Sequence, residues 1–223
     1  MESCWLHRSG AKECILFMTG WGMSAHPFVP VAAGGVDVLM VSNYTNLGPL
    51  PEKLFEQLQG YTTCHLVAWS MGVWMSGYLL KEFDEIFTLK MAIGGTLNPV
   101  HKTQGIPPLS YDAIAGNFTA TTLEAFYSSM FTDEEEKQLF FKHQPPRIMD
   151  KLLTELNGFK EHYTNHKAAP DIFTHKIITS RDRVFPCKNQ IRAWGKKHST
   201  ILKLPHFPFY ALGNWNALLQ LAD

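Results

Sequence analysis

Six stretches of the chain are almost continuously apolar and rich in β-branched or aromatic residues: 13–19 (ECILFMT), 36–42 (VDVLMVS), 64–69 (CHLVAW), 89–95 (LKMAIGG), 171–180 (DIFTHKIITS) and 199–205 (STILKLP). Turn residues bound each of them. Runs with no polar alternation mark strands that are buried on both faces. Between them the apolar period changes to that of a helix. In PLPEKLFEQLQG a proline stands near the start, Leu54, Phe55 and Leu58 form a stripe, and Gly60 ends the segment. MGVWMSGYLLKEF follows Ser70, CKNQIRAWGKKH follows Asp182, and ALGNWNALLQLA lies near the end of the sequence. Strands alternating with helices predict an α/β fold: a mostly parallel sheet with helices on both faces. The opening CWLHRSGAKECILF differs, with a polar Arg-Ser-Gly-Ala turn between short apolar runs, and predicts an N-terminal antiparallel hairpin.

The alternation stops after AIGGTLNPV. Residues 101–168 show helical segments and no strand: TTLEAFYSSMF, DEEEKQLFFKH and PRIMDKLLTELNGFKEHY, the last with Ile148, Leu152, Leu153 and Leu156 at helical spacing. Thr132-Asp133 ahead of Glu135 and Glu136 is a helix-start signal. A helical block between strands of a parallel sheet is an insertion. The expectation is one domain over residues 1–223, with 101–168 forming a lid above the carboxyl edge of the sheet, where such folds bind ligands.

Composition narrows the class. At 223 residues, 45% hydrophobic and 18% charged, the chain is long enough for a full core and is neither disordered nor fibrous. No stretch approaches the ~18 apolar residues of a membrane span, and the start MESCWLHRSGAKE has no apolar leader, so a cytoplasmic protein is expected. Cys4, Cys14, Cys64 and Cys187 have neither C-x-x-C nor metal-ligand spacing, and the histidines form no H-E-x-x-H pattern, so neither disulfides nor a metal is expected. G-x-G-x-x-G and P-loop patterns are missing too, which argues against a nucleotide cofactor. The 20 basic and 20 acidic residues cancel, yet from residue 166 onward nine Lys/Arg face three acids. That surplus suits either an acidic partner or a solvated basic face. No basic run is interleaved with aromatic residues as in a nucleic-acid module, and a monomer is expected.

The chemistry centres on LVAWSMGVW. A serine on a tight turn between a buried strand and a helix exposes its hydroxyl above the sheet, and the turn needs small residues two before and two after it, here Ala68 and Gly72. The bland alternative is that Ser70 caps a helix. A nucleophilic serine also needs an oxyanion hole, for which the N–H of Met71 and a second N–H at Trp21, in the Gly20-Trp21-Gly22 turn after the first long β run, are placed. In this topology an acid and then a histidine follow the serine. Asp182 in IITSRDRVFP and His206 in ILKLPHFPFY each follow a predicted strand. Their alternatives are a surface pair with Arg181 or Arg183, and a turn histidine between prolines. Cys187, at a helix start where a thiol's pKa can fall, lacks the strand-turn-helix context.

Together TGWGM, AWSMGVW, SRDRVFP and PHFPF resemble the α/β-hydrolases, and most closely the BioG-type pimeloyl-[acyl-carrier protein] methyl ester esterases of biotin synthesis. The resemblance runs over essentially the whole chain. It implies Ser70 as nucleophile, Asp182 as acid, His206 as base, and the N–H groups of Trp21 and Met71 as oxyanion hole. The chain departs from the wider fold at Thr19-Gly20, where His-Gly is common, and at Ala68, where glycine is common. The implied partner is an acyl carrier protein bearing the acyl chain, with no cofactor. The Trp21 indole is placed to line the pocket, and Phe126 and Met130 to line it for the acyl chain or, equally, to pack the lid. Lys142, Arg147 and Lys151 are placed to meet the acidic carrier, or form a solvated face. A general short-chain esterase or thioesterase, and a non-catalytic binding protein on the same fold, are the competing readings.

Overall fold

The computed structural model describes residues 1–45, 48, 50, 52–146, 148–166 and 169–222. Strands β1 (Glu2–His7), β2 (Glu13–Met18), β3 (Asp37–Ser42), β4 (Thr63–Trp69), β5 (Leu89–Ile93), β6 (His175–Thr179) and β7 (Thr200–Leu202) form one sheet in the order β1-β3-β2-β4-β5-β6-β7. Every neighbouring pair from β3 to β7 is parallel, and β1 is antiparallel.

Alternation explains why the strands read as unbroken apolar runs. Along β2, Cys14, Leu16 and Met18 enter one core while Ile15 and Phe17 enter the other. The first core is closed by Leu54 and Leu58 of α1 (Glu52–Leu58), Val73 and Trp74 of α2 (Met71–Leu79), and further helices. The second is closed by Phe28 with Phe209 and Trp215, from α8 (Phe209–Leu212) and α9 (Trp215–Leu219). Burying each such large side chain stabilises the fold by ~1.5–3 kcal/mol.

The N-terminal pairing is antiparallel as expected, but the partner of β1 is β3 rather than the β2 that follows it, with Glu2 opposite Ser42 and Trp5 opposite Leu39. Two causes act together. The apolar β2 takes a parallel neighbour on each side, which leaves it no free edge for β1. The polar turn between β1 and β2 is pinned to the start of β3, where the buried Asp37 carboxylate accepts from the N–H and hydroxyl of Ser9 (2.7 and 2.9 Å) and the N–H of Gly10 (3.0 Å). The hydroxyl of Tyr61 donates to the same carboxylate (2.9 Å).

Helices α3 (Pro108–Gly116), α4 (Ala120–Ser129), α5 (Glu134–Lys142) and α6 (Met149–Asn165) follow one another between β5 and β6, where the insertion was expected. Asp133 caps α5, accepting from the N–H groups of Glu135 and Glu136 at 2.9 and 3.0 Å. The sequence pattern missed α3, whose buried stripe is only Tyr111 and whose start is marked by Pro107-Pro108 alone. Helix α7 (Cys187–Trp194) lies between β6 and β7. The expected C-terminal helix is divided: Gly213 at φ +76° ends α8, and the Asn214 side chain caps α9 by accepting from the N–H of Ala217. No helix among the described residues is long and apolar enough to cross a membrane.

Candidate active site

Strand β4 ends at Trp69 and α2 begins at Met71, so the whole change of direction falls on Ser70, at φ +58° and ψ −124°. A non-glycine residue held there costs on the order of 1–3 kcal/mol, and its surroundings must impose it. The Ser70 N–H donates to the Ile93 carbonyl of β5 (3.1 Å), and its own carbonyl accepts from the Val73 N–H (3.2 Å). Helix α2 leaves the turn so close to β2 that a Cβ on Gly72 would lie 2.2 Å from the Met18 carbonyl oxygen, which is why only glycine fits there. Ala68 lies within β4 between Met18 and Ala92, without positive φ, so the strain of the elbow is stored in the serine and not in the alanine. Ser70 makes no side-chain capping bond to α2, which removes the reading of it as a simple helix cap.

The hydroxyl points instead to a histidine. His206 Nε2 is 3.1 Å from Ser70 Oγ, and His206 Nδ1 is 2.8 Å from Asp182 Oδ2. All three side chains are buried. Asp182 Oδ2 also accepts from Thr179 Oγ1 (2.8 Å) and Gln190 Nε2 (3.2 Å), while Oδ1 accepts from the N–H groups of Val184 (2.8 Å) and Phe185 (2.7 Å). The carboxylate thus turns inward to the histidine, and its flanking arginines, Arg181 and Arg183, are exposed. Trp69 Nε1–H donates to the His206 carbonyl (2.7 Å), and the Phe185 ring stacks on the imidazole at 5.9 Å and 8°. A hydroxyl bonded to an imidazole whose other nitrogen meets a carboxylate has the arrangement that moves a proton off the oxygen when it attacks a carbonyl.

The turn after β2 lies against this group. A Cβ on Gly20 would be 3.0 Å from the Ser70 Cβ, so the first residue of the Gly20-Trp21-Gly22 turn stands directly against the serine. Among the described residues no acceptor takes the Trp21 N–H, while the Trp21 indole N–H donates to the Leu152 carbonyl of α6 (2.9 Å). Met71 N–H is at the first position of α2, where a helix leaves its amides unpaired. A cavity of about 310 Å³ opens from here, lined by Trp21, Ser70, Met71 and His206 and roofed by Tyr111 and Ile114 of α3, Phe126 of α4, Met130 just after α4, and Leu156 of α6. Phe126 and Met130 therefore both line the cavity, and Phe126 also packs edge-on to Trp21 at 5.0 Å.

Lys142 and Lys151 are exposed on α5 and α6 and do not line the cavity. Arg147 lies outside the described residues. Burial, reinforced by the Asp182 charge, raises the Cys187 thiol above its ordinary pKa, against the lowering that its helix start suggested. No pattern in the sequence marks Thr179, Gln190 or Trp69 as part of this group. Each acts on a residue far away in sequence or through a polar atom that no periodicity marks.

An almost wholly parallel sheet, an elbow serine and strand-end loops carrying acid and histidine define the α/β-hydrolase fold, which is shared by an esterase from Exiguobacterium antarcticum (TM-score 0.62, 14% identity, 90% of this chain and 84% of that one). Within that class the chain belongs to the BioG family: the family model described as pimeloyl-ACP methyl esterase BioG matches residues 1–218. The crystal structure of BioG from Haemophilus influenzae has the same fold, with a TM-score of 0.83 at 23% identity over 98% of this chain and 99% of that one. A malonyl-[acyl-carrier protein] O-methyltransferase from Bacteroides fragilis is 31% identical over 187 residues, covering 83% of this chain but 37% of that protein, so the chain spans little more than a third of this relative's length.

Proposed function

We propose that the protein is a serine esterase that hydrolyses the methyl ester of pimeloyl-[acyl-carrier protein] methyl ester, giving pimeloyl-[acyl-carrier protein] and methanol. The observation that carries this is the hydrogen-bonded chain from Ser70 through His206 to Asp182, opening into an apolar cavity in a member of the BioG family. Ser70 Oγ attacks the ester carbonyl as His206 Nε2 takes its proton, and Asp182 holds the imidazole tautomer and stabilises the imidazolium. The N–H groups of Trp21 and Met71 receive the oxyanion. Collapse of the intermediate expels the methoxy group, which leaves as methanol with the proton from His206. Water deprotonated by the same imidazole then attacks the acyl-enzyme and frees the carboxylate.

The cavity, of about 310 Å³, is at the small end of the ~300–1,000 Å³ usual for small-molecule sites and suits one unbranched acyl chain lying against Phe126, Met130 and Leu156. In this reading helices α3–α6 are the lid, and the exposed Lys142 and Lys151, with Arg147, meet the acidic carrier in the cytoplasm.

The test compares turnover of a pimeloyl-carrier methyl ester with that of p-nitrophenyl esters, for the wild type and Ser70→Ala. Preference for the carrier-linked ester, with activity and fluorophosphonate labelling lost at least ~10³-fold in Ser70→Ala, is the expected result. Restored growth of an esterase-deficient biotin auxotroph by the wild type alone is the cellular counterpart. Equal or better turnover of the small esters favours a general esterase, and labelling that survives Ser70→Ala removes Ser70 as nucleophile.

A further inference from the structure

Helix α6 buries Leu152, Leu156 and Phe159, as its apolar spacing demands, but it also buries Glu155, which is 1% exposed. A carboxylate withdrawn from water is costly unless donors meet it, and donors to a charged acceptor make roughly twice the bond of a neutral pair. Glu155 Oε2 accepts from the Gly22 N–H (3.3 Å), and Oε1 accepts from the Tyr44 N–H (2.9 Å), just past the end of β3. One turn earlier the Leu152 carbonyl accepts from the Trp21 indole N–H (2.9 Å). Two successive residues of the turn that touches Ser70 are therefore fastened to one face of a helix more than 130 positions away. The Gly22 carbonyl, in turn, accepts from the Tyr127 hydroxyl of α4 (3.4 Å).

We propose that Glu155 is a positioning residue for ester hydrolysis: it draws the Gly22 N–H toward α6 and so fixes the Gly20-Trp21-Gly22 backbone with the Trp21 N–H left for the oxyanion. Gly22 then has no N–H to offer the substrate, and the seating of the helical insert sets the geometry of the oxyanion hole. This rests on the serine-esterase reading above. A misplacement of about 1 Å at a charge-stabilising donor is enough to cost on the order of 10²-fold in rate.

Glu155→Gln keeps the shape and one acceptor oxygen but sets an NH₂ group against a backbone N–H. With p-nitrophenyl butyrate, kcat is expected to fall about 30- to 100-fold with KM within about twofold, and the affinity of a boronic-acid transition-state analogue to fall in step with kcat/KM. Amide exchange at Gly22 should quicken at least about tenfold while strand β4 keeps its protection. Trp21→Phe, which removes the second fastening and trims the cavity wall that the indole lines, provides a variant that folds if Glu155→Gln does not, and its loss in kcat should likewise exceed any change in KM. Combined, the two substitutions should be non-additive. A wild type that turns over no ester overturns the hydrolase reading and this inference with it. An active wild type whose Glu155→Gln and Trp21→Phe variants keep kcat and analogue affinity, or lose kcat only in proportion to lost folded protein, overturns this inference alone.

Discussion

The Asp182 carboxylate meets five donors among the described residues: His206 Nδ1, the Thr179 hydroxyl, the Gln190 amide and the N–H groups of Val184 and Phe185. An asparagine there offers one acceptor oxygen and turns an NH₂ toward donors. Asp182→Asn is expected to lower kcat/KM for any ester about 10⁴-fold by releasing the wrong imidazole tautomer, with an unchanged fold by circular dichroism. A loss smaller than tenfold would remove Asp182 as the group that holds the imidazole. That Ser70, Asp182 and His206 come together was legible in the sequence, because chain order and strand ends constrain them. Thr179, Gln190 and Glu155 were not, since a buried polar residue announces itself only through the partner it finds. Glu155 in particular interrupts an apolar helix face and reads in sequence as one more polar position.

Among the elements, β1 shows how a buried polar side chain, together with the lack of a free edge on β2, selects a pairing. Burial alone would raise the Asp37 carboxyl, but donation from Ser9, Tyr61 and Gly10 outweighs it and holds the pKa below the ordinary 3.8. A carboxyl lowered in the folded state stabilises at pH values above its unfolded pKa, and the contribution is lost as pH falls through the folded value. Asp37→Asn should therefore reduce stability at pH 7, by about 1–3 kcal/mol in urea denaturation, and flatten the loss of stability below pH ~4. An acid limb as steep as that of the wild type would show that other carboxyls govern it. The turn itself was visible as Arg-Ser-Gly-Ala; that it steps over β3 was not, because the anchor comes from another strand. Helix α3 escaped for a different reason: with Tyr111 as its one deeply buried residue, it has no stripe to detect, although it supplies part of the cavity roof.

For the molecule as a whole, the formal charge of zero hides a surplus of Lys and Arg from residue 166 onward, to which Lys142 and Lys151 do not belong. If the acidic carrier docks at the insert, Lys142→Glu together with Lys151→Glu should raise KM for the carrier-linked ester about 5- to 10-fold at low ionic strength, far more than for a p-nitrophenyl ester. The difference should shrink in 0.5 M salt, where screening leaves a range of only a few ångströms. A salt-independent KM, the same for both lysine variants and wild type, would move docking elsewhere. The fastening of Trp21 and Gly22 to α6 also bears on how such enzymes diversify. Ser70, Asp182 and His206 stand just past the ends of β4, β6 and β7, and much of the cavity wall belongs to the helices between β5 and β6, so on the proposed reading substrate choice is free to be exchanged by recombination of residues 101–166 alone. The bonds from Leu152 and Glu155 make that exchange conditional: a foreign insert that fits the acyl chain but lacks a buried carboxylate at this turn of its last helix would bring new selectivity together with a slower enzyme.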